Sequence, residues 1–121
     1  MSKIVQAINT MISNKKQITN IIAGQQEIFF VYRAKYIWSM RQEPSRRDYS
    51  LWYYPNANNV ELLAAYDGDD WEFVPMVVYK TSEIGTKEAL SSFTELYNLL
   101  KERMHNVDEV LDDIISNSDE F

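Results

Sequence analysis

Between Ile28 and Arg41 the chain follows a period of two: Ile28, Phe30, Tyr32, Ala34, Tyr36, Trp38 and Met40 alternate with Phe29, Val31, Arg33, Lys35, Ile37, Ser39 and Arg41. A helix would scatter both sets around its circumference, whereas an extended chain sorts them onto two faces. Aromatic and β-branched side chains dominate the run, and these suit a pleated, half-buried surface. The spacing therefore predicts a strand over 28–41. Because a lone strand is unstable, it also predicts a sheet around that strand.

The flanking segments supply the partners. Ile4, Val5, Ile8, Met11 and Ile12 recur at helical spacing behind Ser2, and Ile18, Ile21 and Ile22 continue the pattern as far as Gly24, so one long helix or two short ones are expected first. A turn at Pro44-Ser45-Arg46-Arg47-Asp48 leads into a second strand, Tyr49 to Tyr54, stopped by Pro55-Asn56-Ala57-Asn58-Asn59. Val60 to Tyr66 reads as a third strand and Trp71 to Tyr79 as a fourth, with Asp67-Gly68-Asp69-Asp70 as the hairpin turn between them. Pro75 marks the fourth as an edge strand or as bulged there.

From Thr86 the period returns to 3.6. Leu90, Phe93, Leu96, Tyr97, Leu100 and Met104 share a stripe, and Glu88, Glu95 and Glu102 fall on a face suited to solvent. Asn106 and Glu109 resemble a capping box, with Asp108 in the same turn, opening a last helix whose Val107, Val110, Leu111, Ile114 and Ile115 should face inward. The order predicts an α+β fold: an N-terminal helix, a four-stranded antiparallel meander, and two C-terminal helices packed on one face of the sheet.

A chain of 121 residues that is 45% apolar fits a single domain over 1–121, and three Gly and three Pro leave no flexible linker. Without Cys there is no disulfide or thiolate chemistry, and with His105 as the single His the usual zinc-ligand sets are missing, so neither a metal nor a cofactor is expected. The first helical segment is interrupted by Gln6, Asn9, Thr10, Ser13 and Asn14, unlike a signal peptide, and no apolar run is long enough to span a bilayer. The expectation is a cytoplasmic protein without a membrane partner.

Charge is divided unevenly. Residues 1–54 carry eight Lys/Arg against three Asp/Glu, and residues 55–121 carry four against fifteen, within a net charge of −6. The basic half also holds nine of the sixteen aromatics. If Tyr32, Tyr36 and Trp38 face the helices, strand parity places Arg33, Lys35 and Arg41 on the opposite face; with Tyr49, Leu51 and Tyr53 inward, Trp52 and Tyr54 join them. Arg33, Lys35, Arg41, Arg46, Arg47, Trp52 and Tyr54 thus form a candidate binding face, since Trp, Tyr and Arg dominate hot spots and stack on bases. The competing structural explanation is that these aromatics pack against the C-terminal helices or against a second copy in a homodimer, with Arg and Lys stems lying over them.

At the other end, Asp108, Glu109, Asp112 and Asp113, followed by Asp119 and Glu120 with no base after Arg103, make a candidate acidic docking surface. Asp67, Asp69, Asp70 and Glu72 lack EF-hand spacing and fit a turn better than a calcium loop. Gly85-Thr86-Lys87 lacks the upstream glycine of a phosphate-binding loop, and no catalytic triad or dinucleotide fingerprint is present. The sequence therefore points to a small acidic, non-enzymatic protein-binding module, such as an inhibitor, immunity or counter-defence factor acting by surface complementarity. The alternative is a nucleotide or single-stranded nucleic-acid binder, RNA included, that uses the basic, aromatic sheet face.

Overall fold

The structure, a computed structural model, describes residues 2–45 and 47–117. An N-terminal helix α1 (Lys3–Ser13) leads through a 3₁₀ turn, Lys15–Gln17, into a five-stranded antiparallel meander. Its strands are β1 (Ile18–Ala23), β2 (Ile28–Tyr32), β3 (Tyr36–Gln42), β4 (Tyr49–Tyr53) and β5 (Val77–Lys80), in sequence order across the sheet. A short helix α2 (Val60–Ala64) and a 3₁₀ turn, Gly68–Trp71, lie between β4 and β5; α3 (Thr81–Ile84), α4 (Lys87–Met104) and α5 (Val107–Ser116) follow. The fold is α+β, with a helix, an antiparallel meander and C-terminal helices in the expected order.

The extra strands arise where the sequence conceals a break. Ile18, Ile21 and Ile22 belong to β1 and not to a helix. Helix α1 ends at Ser13, where the polar run Ser13 to Gln17 begins, and pairing with β2 then satisfies the backbone. A bulge between Thr19 and Ile22, with Asn20 at φ 53°, shifts the parity of β1, so Ile18 and Ile21 both pack on the α1 side while Ile22 reaches the other. That shift is what imitates helical spacing. The 28–41 run is likewise a hairpin and not one strand. Arg33 and Ala34 adopt φ 58° and 56°, and the Lys35 N–H donates to the Tyr32 carbonyl at 3.2 Å. Tyr32 pairs with Tyr36 and Phe30 with Trp38, so side-chain parity passes unbroken through the turn.

Two expected strands change character. Val60–Ala64 is helical because Asn59 caps it, its Oδ1 accepting from the Leu62 N–H at 3.0 Å, with Glu61 in the first turn. Asp67 to Asp70 forms no hairpin: the Asp70 carboxylate accepts from the Asp67 N–H at 3.0 Å and closes a capping box on the 3₁₀ turn. Of 71–79, only Val77 to Tyr79 is extended, in an edge strand that starts after Pro75 and runs on to Lys80.

Two cores sandwich the sheet. On one face α1 and α4 press Val5, Ile8, Phe93, Leu96 and Leu100 onto Phe30, Met40 and Leu51, all fully buried. Removing each such side chain from water contributes ~1.5–3 kcal/mol. Helix α4 is started by Thr86, whose Oγ1 accepts from the Ala89 N–H at 3.1 Å. On the other face, residues 54–74 fold back so that Val60, Leu63 and Trp71 cover Phe29, Val31, Ile37 and Tyr54. Helical cover is therefore not confined to one face. Helix α5 contributes no residue to either core.

Candidate functional site

The return of residues 54–74 over the second face decides the fate of the basic, aromatic set. Tyr54 is buried, with its ring 5.9 Å from Phe29 and 5.7 Å from Trp71, and its hydroxyl shares a 2.7 Å hydrogen bond with Ser39 Oγ. Burial pushes its phenol up to about 12. Trp52 is half-buried against the same cluster. Arg33 and Lys35 are exposed in the β2–β3 turn, where Lys35 Nζ stands 5.1 Å from the Tyr36 ring centroid. Arg41 lies toward the far end of β3, so nearly the whole strand, about 20 Å, separates it from Lys35. Arg47 is exposed in the β3–β4 connection, and Arg46 lies outside the described residues. No single open face brings the described members of this set together.

At the Arg41 end, charge is balanced internally. Arg41 donates to Glu43 at 2.9 Å and to Gln26 at 2.7 Å, and Ser50 Oγ donates to the other Glu43 oxygen at 2.5 Å. The Ser50 hydrogen bond, aided by Arg41 and Lys80 and opposed by partial burial, holds the Glu43 carboxyl below the usual range. Burial raises Glu27 nearby, against a backbone hydrogen bond at Gln26 and the charge of Arg41. Arg41 is thus engaged in a structural network and is not presented to solvent as an isolated cation.

The acidic set does assemble. Asp108, Glu109, Asp112 and Asp113 are all exposed on α5, and they share one side of the helix by its 3.6-residue period. Of the stripe expected to face inward on the opposite side, Val107 is half-buried, but the rest faces solvent: Val110, Leu111, Ile114 and Ile115 are 52%, 49%, 61% and 68% exposed. The cause is local. Asn106 takes a left-handed conformation, φ 54°, and turns the chain after α4, whose C-cap is His105. Asn106 is the N-cap of α5 but makes no side-chain capping bond, unlike the capping box suggested by the sequence.

Arg103 Nη1 donates to the Lys15 carbonyl at 2.7 Å, tying α4 to the 3₁₀ turn that precedes β1. A groove of about 600 Å³ opens beside that tie, and Lys15, Lys16, Asp108 and Glu109 are among its lining residues. The first acidic turn of α5 therefore looks toward the basic turn that precedes β1. The sequence gives the composition of the stripe but not its outward aim, because amphipathicity marks a face and not what covers it.

The acidic turn at Asp67 to Asp70 is used up in capping, and among the described residues no group of three or more His, Asp or Glu is placed to hold a metal ion. Among the same residues no helix is long and apolar enough to cross a membrane. Comparison of the chain with protein-family models, with curated proteins and with solved structures finds no match in any of the three.

Proposed function

We propose that the protein is a non-enzymatic protein-binding module, acting by surface complementarity as an inhibitor, immunity or counter-defence factor does, and that α5 is its docking element. The observation that carries this reading is the exposed stripe Val110, Leu111 and Ile114 beside four carboxylates on one ten-residue helix. Amphipathic helices with anchors at i, i+1 and i+4 dock into apolar grooves of partner proteins. Asp108 and Asp113, which border the stripe on either side by the period of the helix, suit a groove rimmed by Lys and Arg, and Glu109 and Asp112 behind them add to the acidic field, which raises association rate and excludes wrong partners. An anionic bilayer surface is disfavoured, since it would repel the carboxylates of α5.

The test is retention from a lysate of the source organism at low salt by the intact chain and by its Leu111→Asp/Ile114→Asp variant, with circular dichroism to verify the fold of both. One stoichiometric protein retained by the parent, released by salt and lost in the variant supports the reading once the purified pair reassembles. A protein retained equally by both forms contradicts docking through α5, and retention of nothing but nucleotide or RNA contradicts the protein-binding reading itself.

A further inference from the structure

The segment that returns over the second face of the sheet is open on its outer side. Between α2 and the stretch Phe73 to Pro75 lies a pocket of about 220 Å³, with Leu62, Tyr66, Phe73 and Pro75 among its apolar lining and Asn56 and Asn58 among its polar lining. Leu63 of α2 belongs to the core beneath, whereas Leu62 is 51% and Phe73 88% exposed. Single apolar residues on a surface are ordinary, but a nearly bare phenylalanine and a half-bare leucine lining one concavity make a contiguous patch. The volume falls below that of a small-molecule site, about 300–1,000 Å³, and suits one apolar side chain. Asn56 and Asn58 are exposed, and their amides make no side-chain hydrogen bond among the described residues, so they are available to the backbone of whatever carries that side chain.

Charge selects the carrier. Tyr66 and Phe73 both line the pocket, and the chain between them leaves and rejoins its rim carrying Asp67, Asp69, Asp70 and Glu72, all exposed. Hydrogen bonds within that turn satisfy backbone donors and leave the negative charge in place, and among the described residues none of the four carboxylates forms an ion pair. No Lys, Arg or His occurs anywhere from Asp48 to Tyr79. Glu61, which shares a neighbouring depression with Lys35, is not needed for the match. We infer that the pocket seats one apolar side chain of a Lys- and Arg-rich segment of another protein, whose basic residues lie against the acidic turn. Phosphate-bearing ligands and anionic bilayers are repelled by the same four charges. No residue of α5 lines the pocket, and this inference stands or falls independently of the docking role given to that helix.

Two end-blocked peptides, Lys-Arg-Leu-Arg-Lys and Lys-Arg-Ser-Arg-Lys, titrated into the isotope-labelled intact chain and followed by amide chemical shifts, test the inference. The leucine peptide should shift amides within residues 56–75 saturably, with a Kd of about 1 mM, and the serine peptide should bind at least about tenfold more weakly. Leu62→Ser/Phe73→Ser should weaken the leucine peptide at least about tenfold as well, with amide shifts remote from the pocket unchanged. Equal affinity for the two peptides reduces the effect to charge attraction and overturns the inference. So does the absence of shifts over 56–75 at about 5 mM leucine peptide, whether or not residues 108–113 of α5 respond. Shifts over 56–75 that change with the concentration of the chain alone assign the pocket to a second copy and overturn it too. Should the double variant unfold, the parent's discrimination between the two peptides decides.

Discussion

Helices α1 and α5 have nearly the same design and opposite outcomes. They run 11 and 10 residues, each has an apolar stripe on one side, and each is preceded by a small polar residue, Ser2 or Asn106. The stripe of α1, Ile4, Val5, Ile8 and Met11, is buried against the sheet and α4, whereas Val110, Leu111 and Ile114 of α5 are about half exposed or more. The connections explain the difference. A single 3₁₀ turn binds α1 to β1 and holds it over the sheet, while the left-handed Asn106 steers α5 past the end of α4. An amphipathic pattern thus states that a face needs cover; chain geometry decides whether the cover comes from the same molecule.

The sharpest break of that comparison is by truncation. Ile8→Ala should cost ~2–5 kcal/mol in urea unfolding, because the site is fully enclosed, while Leu111→Ala or Ile114→Ala should stay within about 0.5 kcal/mol. A loss at Leu111 equal to that at Ile8 would mean that α5 is covered in the free chain. Next in size is Tyr54→Phe, which strands the buried Ser39 hydroxyl and should cost about 1–3 kcal/mol.

Alkaline titration sharpens the contrast between enclosed and open groups. Tyr54 binds its proton more tightly folded than unfolded, with a folded value of about 12 against 10.0 unfolded. Its contribution is therefore complete below about pH 10 and is lost as pH rises toward 12. Burial raises Tyr97 as well, so Tyr54→Phe should shallow the fall in stability between pH 10 and 12 without abolishing it. An unchanged slope would remove Tyr54 from the buried set.

The smallest effect is in acid, where two carboxylates oppose each other. Glu43 is depressed, so its stabilisation is present above its unfolded value of 4.5 and is lost as pH falls through the lower folded value; Glu27 is raised and destabilises the fold at pH values above that range. Glu43→Gln should flatten the acid loss and Glu27→Gln should steepen it, as read from unfolding midpoints between pH 3 and 6. Effects of the same sign would refute the assigned causes.

The sequence was most informative where periodicity and local chemistry agree. Helix α4, with its start at Thr86, strand β4 and the parity of the β2–β3 hairpin follow directly from spacing. The breaks were illegible for physical reasons: Arg33 and Ala34 occupy positive φ in a turn without Gly or Asn, and the β1 bulge converts strand parity into i, i+3 spacing. Asn59 reads in the sequence as the end of a strand-stopping turn and in the structure caps α2, and Val60 to Tyr66 has enough apolar residues to suit either structure. The binding face failed to assemble because nothing local in 55–76 states that this segment returns over the sheet. The acidic residues of α5, by contrast, share one helix and needed no tertiary information to be grouped.

The most direct measurement is a titration of the partner captured from the lysate against the parent chain and the Leu111→Asp/Ile114→Asp variant, with urea unfolding of both in parallel. Docking through α5 requires the variant to bind at least about 100-fold more weakly, as expected when two central anchors are lost, at an unchanged unfolding midpoint. Equal affinity of the two chains would contradict it.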